Sequence, residues 1–375
     1  MPKKPRPHRT QVTSAEEERV TSLELFFDLV FVFTLTQLSA RLHESLSWES
    51  LLQSFLIFII LFWMYGGYVW LTNSISPVTS ERQLLLIAGM AAFLICALAI
   101  PSAFSETAIT FGIGYLIVMI VHGFMYVRAV GLKAGRFVPL NFLSAALVIA
   151  AGFTDGFTQY LCWALAILCH VITSLLSSGL RFEIRVNHFV ERHGLLLLVA
   201  LGESIIAIGA GIVELDLQFI LAAVLGLLLT AALWWIYFAR DEELAREIML
   251  KRSSTERLRQ ALGGFFYAFV PMLFGIILLA TGIESSIEHL TTRIDPAQAF
   301  AFGGGVALYL LGTIIFRRVA GILEVAYRYL AALLALLTGF LGVNLYAGLQ
   351  FGCLILIVIG LVLAESDWAR SRRAG

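Results

Sequence analysis

Three carboxylates stand inside apolar runs, where a charge is expensive. Glu24 and Asp28 lie in Leu23-Glu24-Leu25-Phe26-Phe27-Asp28-Leu29-Val30-Phe31-Val32-Phe33, and Glu203 lies in Val199-Ala200-Leu201-Gly202-Glu203-Ser204-Ile205-Ile206-Ala207-Ile208-Gly209-Ala210-Gly211. A charge at the centre of a spanning helix costs about 2.5–3.5 kcal/mol on insertion scales, so such a group faces a cavity or a partner. Glu24 and Asp28 are four residues apart, which puts both on one helical face. Two acids so placed can share a proton or hold a cation. Glu24 is close enough to the membrane edge to be simply solvated. For Asp28 two readings stand, an ion site and a structural lock closed by an arginine. Glu203 follows Arg192 by eleven residues, roughly 16 Å along a helix, which places it near the bilayer centre. The small residues around it (Gly202, Ala207, Gly209, Ala210, Gly211) permit close helix packing. The alternative to an ion site is a carboxyl hydrogen-bonded between tightly packed helices, but a neutral residue would pack there at less cost.

Other reactive residue types carry less. Glu284 falls at the outer end of its apolar run and reads as a solvated end. His122 and His170 lie mid-run and read as hydrogen-bonded packing residues, with proton relay as the alternative. His188 and His193 are five residues apart, about 140° round a helix, so they do not share a face as zinc-binding HExxH histidines do. The four cysteines (Cys96, Cys162, Cys169, Cys353) sit in apolar runs without CxxC spacing and read as small core residues. No Walker motif, nucleophile elbow or GxGxxG unit occurs, so neither catalytic residues nor a cofactor or metal are expected, and the chain is not expected to be an enzyme.

The elements that must position these carboxylates follow from composition. Of 375 residues, 59% are hydrophobic and only 14% charged, and the mean hydropathy is +0.87. A soluble domain carries about 25% charged residues, so the bilayer is the solvent of this chain. With 26 basic and 26 acidic residues there is no excess charge to suggest nucleic acid. Windows of about 20 apolar residues predict about twelve spanning helices, at 22–41, 51–72, 83–103, 107–128, 137–154, 157–178, 190–213, 217–239, 259–283, 297–316, 328–344 and 347–365. The fold class is thus an all-α polytopic membrane protein. Short polar links at 154–156 and 346–348 make ten the alternative count. The first run reads as an uncleaved span, and Ser14-Ala15-Glu16-Glu17 as a capping box that starts its helix well before the membrane. With the N-terminus inside, 24 of the 26 Lys and Arg residues fall on inner segments and only Arg41 and Arg293 outside, the asymmetry of a protein with both termini cytoplasmic. The longest inner segment, near 240–258, is expected to be helical with charge pairs at i,i+4. The basic tail 366–375 reads as an anchor to anionic lipid.

The halves resemble each other. Glu18-Arg19 and Glu191-Arg192 precede the first and seventh spans. Phe62-Trp63-Met64-Tyr65 of the second answers Trp234-Trp235-Ile236-Tyr237 of the eighth. Tyr126-Val127-Arg128-Ala129-Val130-Gly131 answers Phe316-Arg317-Arg318-Val319-Ala320-Gly321. The expected organisation is a cytoplasmic segment 1–21, six-helix halves at 22–180 and 181–365, and the tail. Six spans per half make the repeats parallel, an architecture of secondary transporters with sites near the midplane between halves.

Glu24-Leu25-Phe26-Phe27-Asp28-Leu29-Val30-Phe31-Val32 followed by Thr36-Gln37-Leu38-Ser39 resembles the opening motif of the bacterial low temperature requirement A family. His188, Glu191, Arg192 and Gly194, then Ala200-Leu201-Gly202-Glu203-Ser204, resemble its second motif, and Trp234-Trp235 and Gly275-Ile276 through Gly282-Ile283-Glu284 also fit. The sequence departs from the family at Ser22, where a tryptophan is usual, at His193, where an aromatic is usual, and in the Ser76–Arg82 loop, which has fewer acids. The resemblance implies a multi-spanning bacterial membrane protein linked with growth in the cold, and specifies no substrate. Together these readings make Asp28, Glu203, Glu24, Glu191, Arg192 and His188 the candidate ion- or substrate-binding residues. The expected function is a secondary transporter of the bacterial plasma membrane, coupled to protons or cations, whose partners are the lipid bilayer and a small solute or ion. The alternatives are an ion channel and a non-transporting structural or lipid-responsive protein.

Overall fold

The computed structural model describes residues 19–131, 138–177, 184–211 and 216–374. Among them there is no strand. The helices are α1 Ser22–Glu44, α2 Trp48–Ser74, α3 Ser80–Ala99, α4 Ala108–Val130, α5 Val138–Ala151, α6 Gly156–Ser177, α7 Val186–Ala210, α8 Leu217–Phe238, α9 Asp241–Lys251, α10 Ser254–Gln260, α11 Phe269–Glu288, α12 Pro296–Ala320, α13 Ala326–Leu337, α14 Gly339–Asn344 and α15 Ala347–Ala374. A π-helical stretch, Ala261–Tyr267, joins α10 to α11. Eleven helical segments of the described residues are long and apolar enough to cross a bilayer. The chain is an all-α, multi-pass membrane protein.

The predicted spans at 137–154 and 328–344 take unexpected forms. The first is α5, whose 14 residues reach about 21 Å, less than the ~30 Å of a hydrocarbon core. The second is interrupted at Thr338, where α13 gives way to α14.

Local chemistry sets where the helices begin and end. Thr21 caps α1 and forms a reciprocal box with Glu24, while Ser47 and Ser50 do the same for α2. The proposed box at Ser14–Glu17 lies outside the described residues. Asp216 caps α8 and Asp295 caps α12, which has Pro296 in its first turn. Helices α4 and α12 both stop at glycines with positive φ, Gly131 and Gly321. The segment after α8 is the expected charged helix, α9, but its ion pair is Glu243–Arg246, spaced i,i+3 and not i,i+4.

In lipid, helices associate through close van der Waals contact and hydrogen bonds. Helix α11 lies backbone to backbone against α12. A Cβ at Gly275 would stand 2.6 Å from the Gly305 carbonyl oxygen, and one at Gly305 would stand 2.6 Å from the Leu279 amide nitrogen. Backbone faces backbone there, so only glycine fits.

In the first half α1 packs on α2 and α3, α3 on α4, α4 on α5, α5 on α6, and α6 returns to α2. In the second, α7 packs on α8 and α11, α11 on α12, α12 on α13, α13 on α15, and α15 returns to α8. Helix α1 also packs against α7 and α11. The start of α1 meets the start of α7, and Thr36 further along meets Glu203, so the two helices run parallel.

Candidate functional site

Four of the six sequence-predicted residues meet in one buried cluster at the start of α1 and α7. The i,i+4 spacing of Glu24 and Asp28 aims both at α7, where His188 and Arg192 have the same spacing and face back. Arg192 donates through Nη1 to Glu24 Oε1 at 3.0 Å and through Nη2 to Asp28 Oδ1 at 3.1 Å. It also donates to Thr72 of α2, and its guanidinium carbon lies 5.8 Å from the Phe27 ring centre. The Tyr65 hydroxyl of α2 donates to Asp28 Oδ1 at 2.8 Å.

His188 completes the cluster. Asn73 Oδ1 accepts from the Arg185 amide at 3.2 Å, which leaves its amide nitrogen to donate to His188 Nδ1 at 3.1 Å. Nε2 then carries the ring proton and donates to the Glu24 carboxylate at 3.2 Å. Glu24, Asp28, His188 and Arg192 are all buried. Glu24 is therefore not a solvated residue at the membrane edge. α1 begins only at Ser22, so Glu24 caps the helix and lies under α7. One guanidinium serves two carboxylates, and among the described residues Asp28 Oδ2 has no hydrogen-bond partner.

Glu203 is not part of that cluster. Its Oε1 accepts from Thr36 Oγ1 of α1 at 2.7 Å. Thr36 lies eight residues beyond Asp28, roughly 12 Å further along α1, and Phe31 and Leu35 are buried between them. Phe31 stacks on Tyr65 at 4.3 Å, so an apolar layer begins directly beyond Asp28. The α1–α7 register and the small residues near Glu203 bear on this placement. Asp28 and Glu203 are at different depths, because α1 and α7 pair in a register that sets Asp28 beside Arg192. Among the described residues a Cβ at Gly202 or Gly209 would meet nothing within 4 Å, so the expected close packing at these glycines is not what holds Glu203 against a neighbour. Glu191 is exposed and points away from the cluster.

From Glu203 a polar track continues to the far end of α1. Ser39 Oγ donates to the Thr36 carbonyl at 3.0 Å, Thr281 Oγ1 of α11 to the Ser39 carbonyl at 3.2 Å, and Ser285 Oγ to the Thr281 carbonyl at 3.0 Å. Ser285 Oγ lies 3.4 Å from His43 Nδ1, and His43 Nε2 lies 3.6 Å from carboxylate oxygens of Glu284 and of Glu288. Glu24, Asp28, Thr36, Ser39 and His43 thus form one stripe on α1, within an arc of about 120° and roughly 28 Å long. Sequence reasoning stopped at the carboxylates; the signal it passed over was the same helical spacing continued through hydroxyls.

The family model described as the bacterial low temperature requirement A protein matches residues 19–363. The chain belongs to the low temperature requirement A family. It is 26% identical over 333 residues to an uncharacterized protein of Rhizobium meliloti (strain 1021), covering 84% of this chain and 80% of that one.

The low temperature requirement A motifs acquire physical roles in this setting. The first motif supplies Glu24, Asp28, Thr36 and Ser39, and the second supplies His188, Arg192 and Glu203. Gly194 of the second motif lies under α9, where a Cβ would stand 2.2 Å from Glu242 Oε1. His193, the departure from the family's aromatic residue, is packed as an aromatic ring, 4.3 Å from Phe189 and 5.4 Å from both Phe265 and Phe269. It therefore has surroundings wholly different from those of His188. The mid-run histidines also face neighbours. His170 Nε2 lies 2.5 Å from the Tyr115 hydroxyl and 3.1 Å from that of Ser144, and His122 stacks on Tyr126.

A second buried charge cluster was not anticipated. Arg317 of α12 donates to Asp241 at the start of α9 at 2.8 Å and to Glu365 of α15 at 2.7 Å. Arg328 of α13 donates to the same two carboxylates at 2.7 and 2.8 Å. Two cations balance two anions, and the cluster ties four helices together. A cavity of about 270 Å³ opens beside it, with Arg240, Arg317 and Glu365 among its lining residues. Sequence reasoning assigned these arginines to the inner surface because the acids that bury them are scattered over 125 positions.

Proposed function

We propose that this protein is a secondary transporter of the bacterial inner membrane, coupled to protons or cations through the carboxylates of the α1–α7 seam. The observation that carries this reading is the polar stripe on α1, which runs most of the length of a spanning helix and is broken once, by the apolar layer between Asp28 and Thr36. Buried ionisable groups within spans are costly and mark ion paths. Glu203 lies on the side of that layer where the stripe runs on to the far end of α1, and is screened from the other side, as a carrier site must be at any one moment. That apolar layer favours a carrier over an open channel.

In this reading the Glu24–Arg192–Asp28 cluster closes the inner side. The halves at 22–180 and 181–365 are parallel repeats. The shared order of helix neighbours, the parallel course of α1 and α7, and the matching glycine stops at Gly131 and Gly321 support this. Both termini are cytoplasmic, on the argument that the arginine-rich helix ends all fall on the side of the α1 start. The solute is small, and the chain acts as a carrier and not as an enzyme.

The test is charge movement on proteoliposomes under steps of pH, sodium and potassium, with wild type, Asp28→Asn and Glu203→Gln. A transient current in wild type that Glu203→Gln abolishes, with folding intact, is the expected result. Equal currents in all three proteins would refute the assignment. A second reading draws on the pairing of Arg192 with both carboxylates, which suits a static lock. It predicts silent membranes and substitutions that only lower the melting temperature.

A further inference from the structure

In the transporter reading Glu203 gains and loses its charge while buried, so both of its states need a hydrogen-bond partner. One side chain can serve both. Thr36 Oγ1 of α1 lies 2.7 Å from Glu203 Oε1 and 3.5 Å from the Val32 carbonyl oxygen, one turn back on its own helix. Two oxygens 2.7 Å apart share a proton. The hydroxyl supplies it when Glu203 is ionised, and the carboxyl supplies it when Glu203 is neutral. A hydroxyl has one proton to donate and lone pairs with which to accept. Donating to the carboxylate uses that proton. Accepting from the carboxylic acid frees it for the Val32 carbonyl, the i−4 acceptor to which a helical threonine can turn. The bond between Thr36 and Glu203 then survives the change of state with its direction reversed.

The helices packed on α7 bring no second ionisable group to this depth. Helix α1 carries none between Asp28 and Arg41, α8 none before Tyr237, and α11 none before Glu284. Helix α7 itself carries none from Gly194 to Gly202 or from Ser204 to Ala210. On α2, Tyr65 donates to Asp28 and Tyr68 to the Val118 carbonyl. The same contact bears on the kind of ion. A hard divalent cation gathers about six or more oxygens with their lone pairs turned toward it. Thr36 instead shares a proton with the carboxyl.

We propose that Thr36 is the positioning residue of the Glu203 site, and that the coupling ion is a proton, taken up by Glu203 as the Thr36 hydroxyl turns from the carboxylate to the Val32 carbonyl. The inference rests on the transporter reading and names its ion. The proton comes from water on the face to which the carrier is open. It adds to the Glu203 carboxylate, which becomes a neutral acid and donates its new O–H to Thr36 Oγ1. Release is the reverse, and no bond between heavy atoms is made or broken.

The experiment reads transient current on proteoliposomes carrying wild type, Thr36→Val, Thr36→Ser or Glu203→Gln. Acid steps to a series of final pH values give the pH of half-maximal current, and sodium steps are applied separately at constant pH. Thermal unfolding in detergent checks that each protein is folded, and Thr36→Ala takes the place of Thr36→Val if that variant is not. The proposal expects current on acid steps alone and none in Glu203→Gln. Hydrogen bonds to ionised groups are roughly twice as strong as those to neutral ones, so loss of the hydroxyl disfavours the carboxylate more than the acid. In Thr36→Val the half-maximal pH should therefore rise by about one unit, and Thr36→Ser, which keeps the hydroxyl, should restore it. An unshifted midpoint in a folded variant without the hydroxyl, or the same shift in Thr36→Ser, would overturn the role of Thr36 and leave the transporter standing. Current on the sodium step that Glu203→Gln removes would overturn the proton assignment alone. Silence of wild type under every step would overturn the inference and the transporter reading together.

Discussion

Arg192 is shared between Glu24 and Asp28, and both acids depend on it for burial. Removing one partner of a buried ionic group leaves charge without compensation and costs about 3–5 kcal/mol. Arg192→Met should therefore destabilise the protein by about that amount, and the triple variant Glu24→Gln/Asp28→Asn/Arg192→Met should recover most of the loss, because no charge is left stranded. Chemical denaturation in detergent measures both. A triple variant no better than the single would show that the cluster contributes shape and not charge balance. At this scale the sequence was readable where residue types recur at helical spacing. Glu24 with Asp28 and His188 with Arg192 each declared a face. It was unreadable where partners come from distant segments, as with Asp241, Arg317, Arg328 and Glu365. Glu191 shows the opposite error, since membership of a motif did not bring it to the site.

At the scale of elements, α9 joins the second charge cluster to α7. Asp241 points into the arginine pair of the second half, while the next residue, Glu242, lies over Gly194 of α7. Helix α8 alone, with 22 residues and about 33 Å, covers a hydrocarbon core, so the charged α9 that follows lies beyond it. Burial, and after it the charge of Glu243, push the Glu242 carboxyl up to about 7 from its ordinary 4.5. An acid held above its ordinary value is protonated more readily when docked than when free, so docking is strongest at low pH. That advantage is lost as pH rises through the interval up to about 7, and changes little beyond it. Amide hydrogen exchange of α9, corrected for the intrinsic pH dependence, should therefore rise over that interval in wild type and stay flat in Glu242→Gln. A flat wild-type profile would contradict the docking role of Glu242. Spans and caps were legible here from apolar length and from Thr, Ser and Asp at helix starts. The breaks at Thr338 and in the π-helical Ala261–Tyr267 stretch were not, since neither contains proline and both depend on what packs alongside.

At the scale of the molecule, the structure is a helical bundle with a buried charge cluster at the start of α1 and α7 and a polar stripe on α1 leading away from it. Composition and the alternation of basic loops announced a many-spanning helical protein. They could not announce the register of α1 against α7, which decides that Asp28 meets a guanidinium while Glu203, eight residues deeper by that register, meets the Thr36 hydroxyl. That difference separates a closed charge cluster from a carboxyl free to change its protonation. The central claim is accordingly that Glu203 couples ion entry to solute movement. The most direct measurement is uptake of pooled labelled metabolites into proteoliposomes driven by an imposed proton gradient, comparing wild type with Glu203→Gln of equal thermal stability. Gradient-driven uptake in wild type that falls to the protein-free background in Glu203→Gln is the predicted result. Undiminished uptake in Glu203→Gln would contradict the account.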